Sequence, residues 1–551
     1  MAAMAQAQVK GTTKRKAPQR QRRSVTPMGE RRWGRFTLWQ VSCAALLLSA
    51  AFLRLFELSA KVLHHDEGVN GMFMTNLFRT GSYHYDPANY HGPTLYYAGL
   101  VTTTLNAFVY GKYGLSTFAV RLVTAIFGIG VIWLILCLRR YLGTFGAWSA
   151  ALLATVSSGM MFFSRYFIHE ILFVFFTLGT VVAWLKFRET GKSKYLYLAA
   201  SSLAMLGATK ETWIITLAVW LIAIPCTKYY LRIAERVLKQ RPDPQLEIPV
   251  AQAEESPRTL YATAAIVFVV LWVLFYSSFF TNFPQGLLDS IRTYGYWTKT
   301  SGNANVYPWT QDINWLFRAE AGALLLGAAG IIVALAQVRS RFAVFTAFWS
   351  MGILSAYCLV PYKTPWLLLS IVLPFLLMSG YLLEQIFARR GSPVIAALIL
   401  TAATGLGLYQ AVELSFERYD DSTEPYSYAH SYRDLLNLVN EIEKIAAGSP
   451  DGRNIGITVM ATEHWPLPWY LRFYPNTGFW GKVIPLCPTN DTTSNRTYGC
   501  VDTSKEPIII AHQTQVDEVN RELGDKYRLI SSHDLRPGNR LYLYLRKDRQ
   551  P

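Results

Sequence analysis

The chain has 551 residues, of which 52% are hydrophobic, 14% aromatic and only 16% charged. That is too apolar, and too unevenly so, for an ordinary soluble protein. The formal net charge of +17 is spread in short basic clusters between apolar runs, the pattern of cytoplasmic flanks of membrane helices, which argues against nucleic acid as a partner.

Residues 1–35 hold ten Lys or Arg against one acid, Glu30, and read as a disordered cytoplasmic tail. The run 36–53 follows without a small-residue cleavage site and reads as a retained anchor. Further apolar stretches near spanning length occur at 92–111, 122–138, 141–164, 171–185, 195–209, 212–227, 259–288, 321–338, 342–362, 364–383 and 391–412. If all twelve crossed, the basic clusters at Arg139/Arg140, 186–194, 232–241, Arg339/Arg341 and Arg389/Arg390 would face outward, against the positive-inside rule. Placing 92–111 along the outer interface returns every cluster to the cytoplasm and predicts about eleven transmembrane helices over 36–413.

This parity puts all nine His residues and everything after Glu413 on the non-cytoplasmic side of the cell inner (plasma) membrane. Residues 414–551 read as a soluble α/β domain: a helix near 432–446, strands at 455–461 and 507–511, a second helix near 515–523, and a hairpin ending in 540–547. Cys487 and Cys500 are the two cysteines of this polar segment and predict a disulfide in an oxidising space. No internal repeat or inverted half-symmetry is present.

The chemistry-bearing residues gather at the same membrane level. Past the first span comes His64-His65-Asp66-Glu67-Gly68, and two carboxylates flanked by imidazoles can accept a proton or hold a divalent cation. The competing reading is a helix N-terminus whose acids complement the dipole. Arg165 and His169-Glu170 lie at a second junction, Lys210-Glu211 at a third and Tyr362-Lys363 at a fourth. Ionisable residues at span margins mark a functional pathway, although Lys210 and Lys363 could also snorkel to headgroups.

Taken together, the DE pair after span one, Pro93-Thr94-Leu95-Tyr96-Tyr97, Arg121-Leu122, Ser164-Arg165 with Glu170, Thr209-Lys210-Glu211 and Tyr362-Lys363-Thr364-Pro365 resemble the GT-C glycosyltransferases. The relatives are the protein O-mannosyltransferases and the lipid A aminoarabinose transferases. The strings HHDEG, SRYFIHE, ATKE and PYKTPW resemble most a prokaryotic flippase-activity-associated branch. Two departures stand out: Glu170 preceded by His169 where the relatives usually carry Asp, and Gly92-Pro93 where they carry Pro-Pro.

The resemblance implies inverting transfer of a sugar from a polyprenyl-phosphate donor to a glycan, lipid or protein acceptor on the non-cytoplasmic face. Asp66 is then the expected base, with Glu67 and Glu170 orienting acceptor or metal. Arg165, Lys210 and Lys363 are expected at the phosphate, with Glu211, Tyr362, His91 and Tyr96 completing the substrate site. The His169 departure leaves room for a divalent ion, Mg or Mn, on Asp66, His169 and Glu170. The rival readings are a lipid-linked-sugar flippase and a non-catalytic scaffold. Against the flippase, 321–338, 364–383 and 391–412 carry no ionisable residue at mid-depth.

Overall fold

A computed structural model describes residues 32–33, 35–88, 91–244, 246–247, 250–300, 305–389, 392–480 and 506–549. Cys487 and Cys500, and with them the expected disulfide, lie outside the described residues. The chain divides into two compact units, Met1–Ala44 and Ala45–Pro551. In the first, strand β1 (Arg32–Trp33) pairs antiparallel with β2 (Phe36–Thr37).

Among the described residues, eight helices are long and apolar enough to cross a membrane, and nine if the bent pair Gln311–Ala319 and Ala321–Gln337 counts as one span. Of the about eleven expected spans, two stretches form helices shorter than these. The 141–164 run breaks at Ser157, whose side chain turns to cap a new short helix, leaving Thr144–Val156 with 13 residues. The 195–209 run gives only the 15-residue helix Ser193–Gly207, below the roughly 20 residues a bilayer needs. The 92–111 run, expected along the interface and not among the eleven, forms Thr94–Tyr110 and is outside the spanning set.

Serine caps start several of the spans. Ser116, Ser256 and Ser340 each accept a backbone N–H of the helix they open, satisfying a donor that the first turn leaves free. The Leu368–Phe387 helix is apolar on all sides and almost wholly buried, as a central helix must be. Around it pack Ala321–Gln337, Thr144–Val156, Arg341–Leu359 and Pro393–Val412. Peripheral helices leave Leu221, Ile266, Ile332 and Leu398 more than half exposed, an arrangement suited to hydrocarbon rather than water.

The C-terminal region closes on a five-stranded sheet in the order β4-β3-β5-β7-β6, with β3 Ile457–Met460, β4 Thr477–Trp480, β5 Ile508–His512, β6 Tyr527–Arg536 and β7 Asn539–Arg546. β3 runs parallel to β4 and β5, while β5–β7 and the β6–β7 hairpin are antiparallel. The Leu435–Gly448 helix buries Leu438, Ile442 and Ile445 against one face, and Val516–Leu523 buries Val519 and Leu523 against the other. The region is seated on the His65–Thr80 helix through Gly71, where an added Cβ would fall 2.5 Å from the Trp469 ring.

Candidate active site

The acidic segment is built by its own helix start. His64 caps His65–Thr80 in a capping box: its Nδ1 accepts from the Asp66 N–H (3.0 Å), and Glu67 Oε2 accepts from the His64 N–H (3.1 Å). The other ring nitrogen, Nε2, donates to the Tyr428 carbonyl (3.1 Å), and burial pushes the imidazole down to about 3, so it stays neutral. The two acids of the pair then diverge, because neighbouring helix positions point about 100° apart.

Glu67 points inward and is fully buried against Arg121. The Arg121 Nε and Nη2 donate to its two oxygens at 2.8 and 2.7 Å, and the Phe167 N–H donates to it at 2.8 Å. Arg121 also donates to the carbonyls of Leu58, Lys61 and Val62. Burial alone would raise the Glu67 carboxyl, but the guanidinium holds it below the usual range. Glu67 is thus the tie that fixes the first loop, and it does not line the cavity.

Asp66 faces a cavity of about 670 Å³ that it shares with His65, His91, His169, Glu170, Lys210, Glu211 and Tyr362. Burial lifts its carboxyl above the ordinary carboxylate range; the Glu170 charge adds to this, while His65, His91 and Lys210 oppose it. Across the cavity Lys210 donates to Glu170. Burial would lower the Lys210 ammonium, but Glu170 keeps it raised and charged. Beside them His91 Nδ1 lies 2.8 Å from Glu211 Oε2, and the Tyr85 hydroxyl donates to Glu211 Oε1 at 2.8 Å.

The Gly92 departure has a steric explanation. A Cβ there would lie 2.1 Å from the Ala208 carbonyl, and the Gly92 N–H donates to Thr209 O (3.1 Å). Gly92 thereby brings His91 against the Lys210–Glu211 turn.

Three further expected site residues lie outside the cavity. Arg165 donates to the carbonyls of Leu53, Arg54, Phe56 and Glu57 and stacks on Phe416. Lys363, 1% exposed, donates to Asp312 Oδ2 (2.6 Å) and to the carbonyls of Tyr357, Cys358 and Val360. It fastens the turn that presents Tyr362, Thr364 and Trp366 to the cavity. Tyr96 is fully buried and donates to Asn70 Oδ1 (2.8 Å).

The expected ion site meets a different geometry as well. Among the described residues no group of three His, Cys, Asp or Glu side chains stands at metal-binding spacing. Glu170 is paired to Lys210, and His169 donates Nε2–H to the Gly92 carbonyl (3.0 Å). Asp66, His169 and Glu170 are not gathered at that spacing in this structure.

Sequence reasoning missed the aromatic wall: Trp297, Tyr294, Trp366 and Trp465. It also missed Arg536, whose Nη2 donates to His65 Nδ1 (3.2 Å) and to the Trp465 carbonyl (2.7 Å). Trp465 and Arg536 belong to the C-terminal sheet region, and no periodicity links them to Asp66.

A family model, dolichyl-phosphate-mannose-protein mannosyltransferase, matches residues 100–241. The structure superposes on ArnT from Cupriavidus metallidurans in the apo state with a TM-score of 0.60 and 13% identity, covering 92% of this chain and 97% of that one. ArnT bound to undecaprenyl phosphate gives 0.58 and 14%, covering 92% and 98%. The chain has the fold of ArnT. The likeness to ArnT takes in the C-terminal sheet region, since nearly all of both chains is aligned. No curated protein matches the sequence.

Proposed function

We propose that the protein is an inverting glycosyltransferase that takes a sugar from a polyprenyl-phosphate donor on the non-cytoplasmic side of the membrane. The observation that carries this reading is one cavity in which a half-buried carboxylate of raised basicity, Asp66, faces a charged Lys210 held by Glu170. The family match and the polyprenyl-phosphate complex of a protein with the same fold support the donor class.

A phosphate-linked sugar has a leaving group that is already a stable anion, so the site needs a cation at the phosphate and a base at the acceptor. Lys210 supplies the cation. Asp66 takes the proton from the acceptor hydroxyl or amide; the freed electron pair attacks the anomeric carbon, and the carbon–oxygen bond to phosphate breaks with its pair leaving on the polyprenyl phosphate. A single displacement inverts the anomeric configuration. The wall of Trp297, Trp366 and Trp465 offers flat apolar faces for a sugar ring, with Tyr362 and the His91–Glu211 pair reaching its hydroxyls.

The test is to incubate purified protein with a panel of polyprenyl phosphate sugars and measure released polyprenyl phosphate. Release from one donor, lowered at least about a hundredfold in Asp66→Asn while that donor still binds, is expected. A donor that binds but is never consumed would overturn the assignment in favour of a scaffold.

A further inference from the structure

The helices that wall the catalytic cavity enclose a second hollow at their other end. On the Glu170–Thr190 helix, Arg188 lies roughly 27 Å beyond Glu170 at 1.5 Å per residue. The second cavity, about 340 Å³, runs from Trp184 and Arg188 across to Trp220, Ile224 and Lys228 and on to Arg341 and Phe345. Its walls are apolar and its rim is cationic.

Arg341 is occupied: its Nε lies 3.3 Å from Glu247 Oε2, and its N–H donates to Glu247 Oε1. Glu189, next to Arg188, is held by Arg140 (3.2 Å) and Lys186 (2.6 Å). Among the described residues this leaves Arg188 and Lys228 with no carboxylate partner, both exposed at the rim. Deeper in the wall, Trp220 is 8% exposed and its indole N–H has no acceptor among the described residues. A buried donor left unmet costs about 1–3 kcal/mol, a cost that an acceptor seated in the cavity would relieve.

The geometry points to an anionic glycerophospholipid seated in this cavity, with its phosphate on Arg188 and Lys228, an ester carbonyl accepting from Trp220, and an acyl chain along Trp184, Ile224 and Phe345. The three features select the ligand jointly. The two rim cations call for net negative charge, which a zwitterionic headgroup lacks. The unmet indole N–H lies among apolar side chains, where an ester carbonyl can reach it and a polyprenyl chain has nothing to offer. The site is separate from the catalytic cavity and does not depend on the transferase reading.

Native mass spectrometry of the full chain in detergent, titrated with phosphatidylglycerol, phosphatidylcholine or undecaprenyl phosphate, tests this. One phosphatidylglycerol should be retained in preference to phosphatidylcholine, and the double substitution Arg188→Gln with Lys228→Gln should weaken its retention roughly tenfold or more. Trp220→Phe, which keeps the ring and removes the N–H, should weaken it several-fold with the melting temperature unchanged. Equal retention of the two phospholipids, an unaltered double variant, an unaltered Trp220→Phe variant or equal displacement by undecaprenyl phosphate would each overturn the assignment.

Discussion

Asp66 and Glu67 are adjacent carboxylates of one motif, yet substituting them should have opposite consequences. Glu67→Gln removes the charge that balances Arg121, both side chains being fully buried. Breaking a buried ion pair from one side costs about 3–5 kcal/mol, because the remaining charge stays desolvated. The Arg121 hydrogen bonds to Leu58, Lys61 and Val62 and the Glu67 bonds to His64 and Phe167 share that geometry, so the loss spreads to the loops on both sides of Asp66. Against a typical folding free energy of about 5–15 kcal/mol, this is a large fraction. Denaturant titration in detergent should show a clearly lowered midpoint for Glu67→Gln and none for Asp66→Asn, whose carboxyl faces the cavity and is raised above the ordinary range by burial. Replacing both partners, Glu67→Met with Arg121→Met, should recover only the part due to the unpaired charge, because the carbonyls of Leu58, Lys61 and Val62 and the N–H groups of His64 and Phe167 then lose their partners. A Glu67→Gln protein of full stability that had lost only turnover would refute this division of roles.

The pH profile should carry the same signature. The base works ionised, and its carboxyl is raised by burial and by Glu170, so the acid limb of kcat/KM should lie above the ordinary carboxylate value of about 4. Glu170→Gln should move that limb to lower pH, since it removes a repelling charge and releases Lys210; a limb at the ordinary value in the unaltered protein would exclude Asp66 as the base. Lys363→Met should lower the denaturation midpoint by leaving Asp312 buried without its partner, while donor KM changes little; a rise in KM at full stability would place Lys363 at the phosphate after all. Arg536→Ala should lower kcat/KM roughly tenfold or more through loss of a charged hydrogen bond to His65, with the β6–β7 hairpin intact by circular dichroism, and an unchanged rate would mean the C-terminal region only covers the cavity.

Local pattern along the linear chain was enough to determine its class. Apolar runs near bilayer length, interrupted by basic clusters, fix a helical membrane protein because unpaired backbone groups are too costly in hydrocarbon for any open structure. Alternating and helical periodicities after Glu413 gave most of the later elements to within a few residues, β4 excepted, since each is set by side chains three or four positions apart in a helix, or two in a strand. The motif residues were legible as chemistry-capable, and Asp66, His91, Glu170, Lys210, Glu211 and Tyr362 do meet in one cavity.

Tertiary structure alone decided which charges are free to act. A buried cation needs a partner, and whether Lys363 meets a ligand or Asp312, Arg165 a phosphate or four carbonyls, and Glu67 an acceptor or Arg121 depends on contacts between segments far apart in the chain. The same holds for Trp465, carried to the cavity, and for Arg536, carried to His65, by a region whose seat is the close approach of Trp469 to Gly71. The break inside the 141–164 run has the opposite cause. A single serine at 157 turns its hydroxyl back on the chain and starts a new helix, a local event that hydropathy averaged over a bilayer's length does not register.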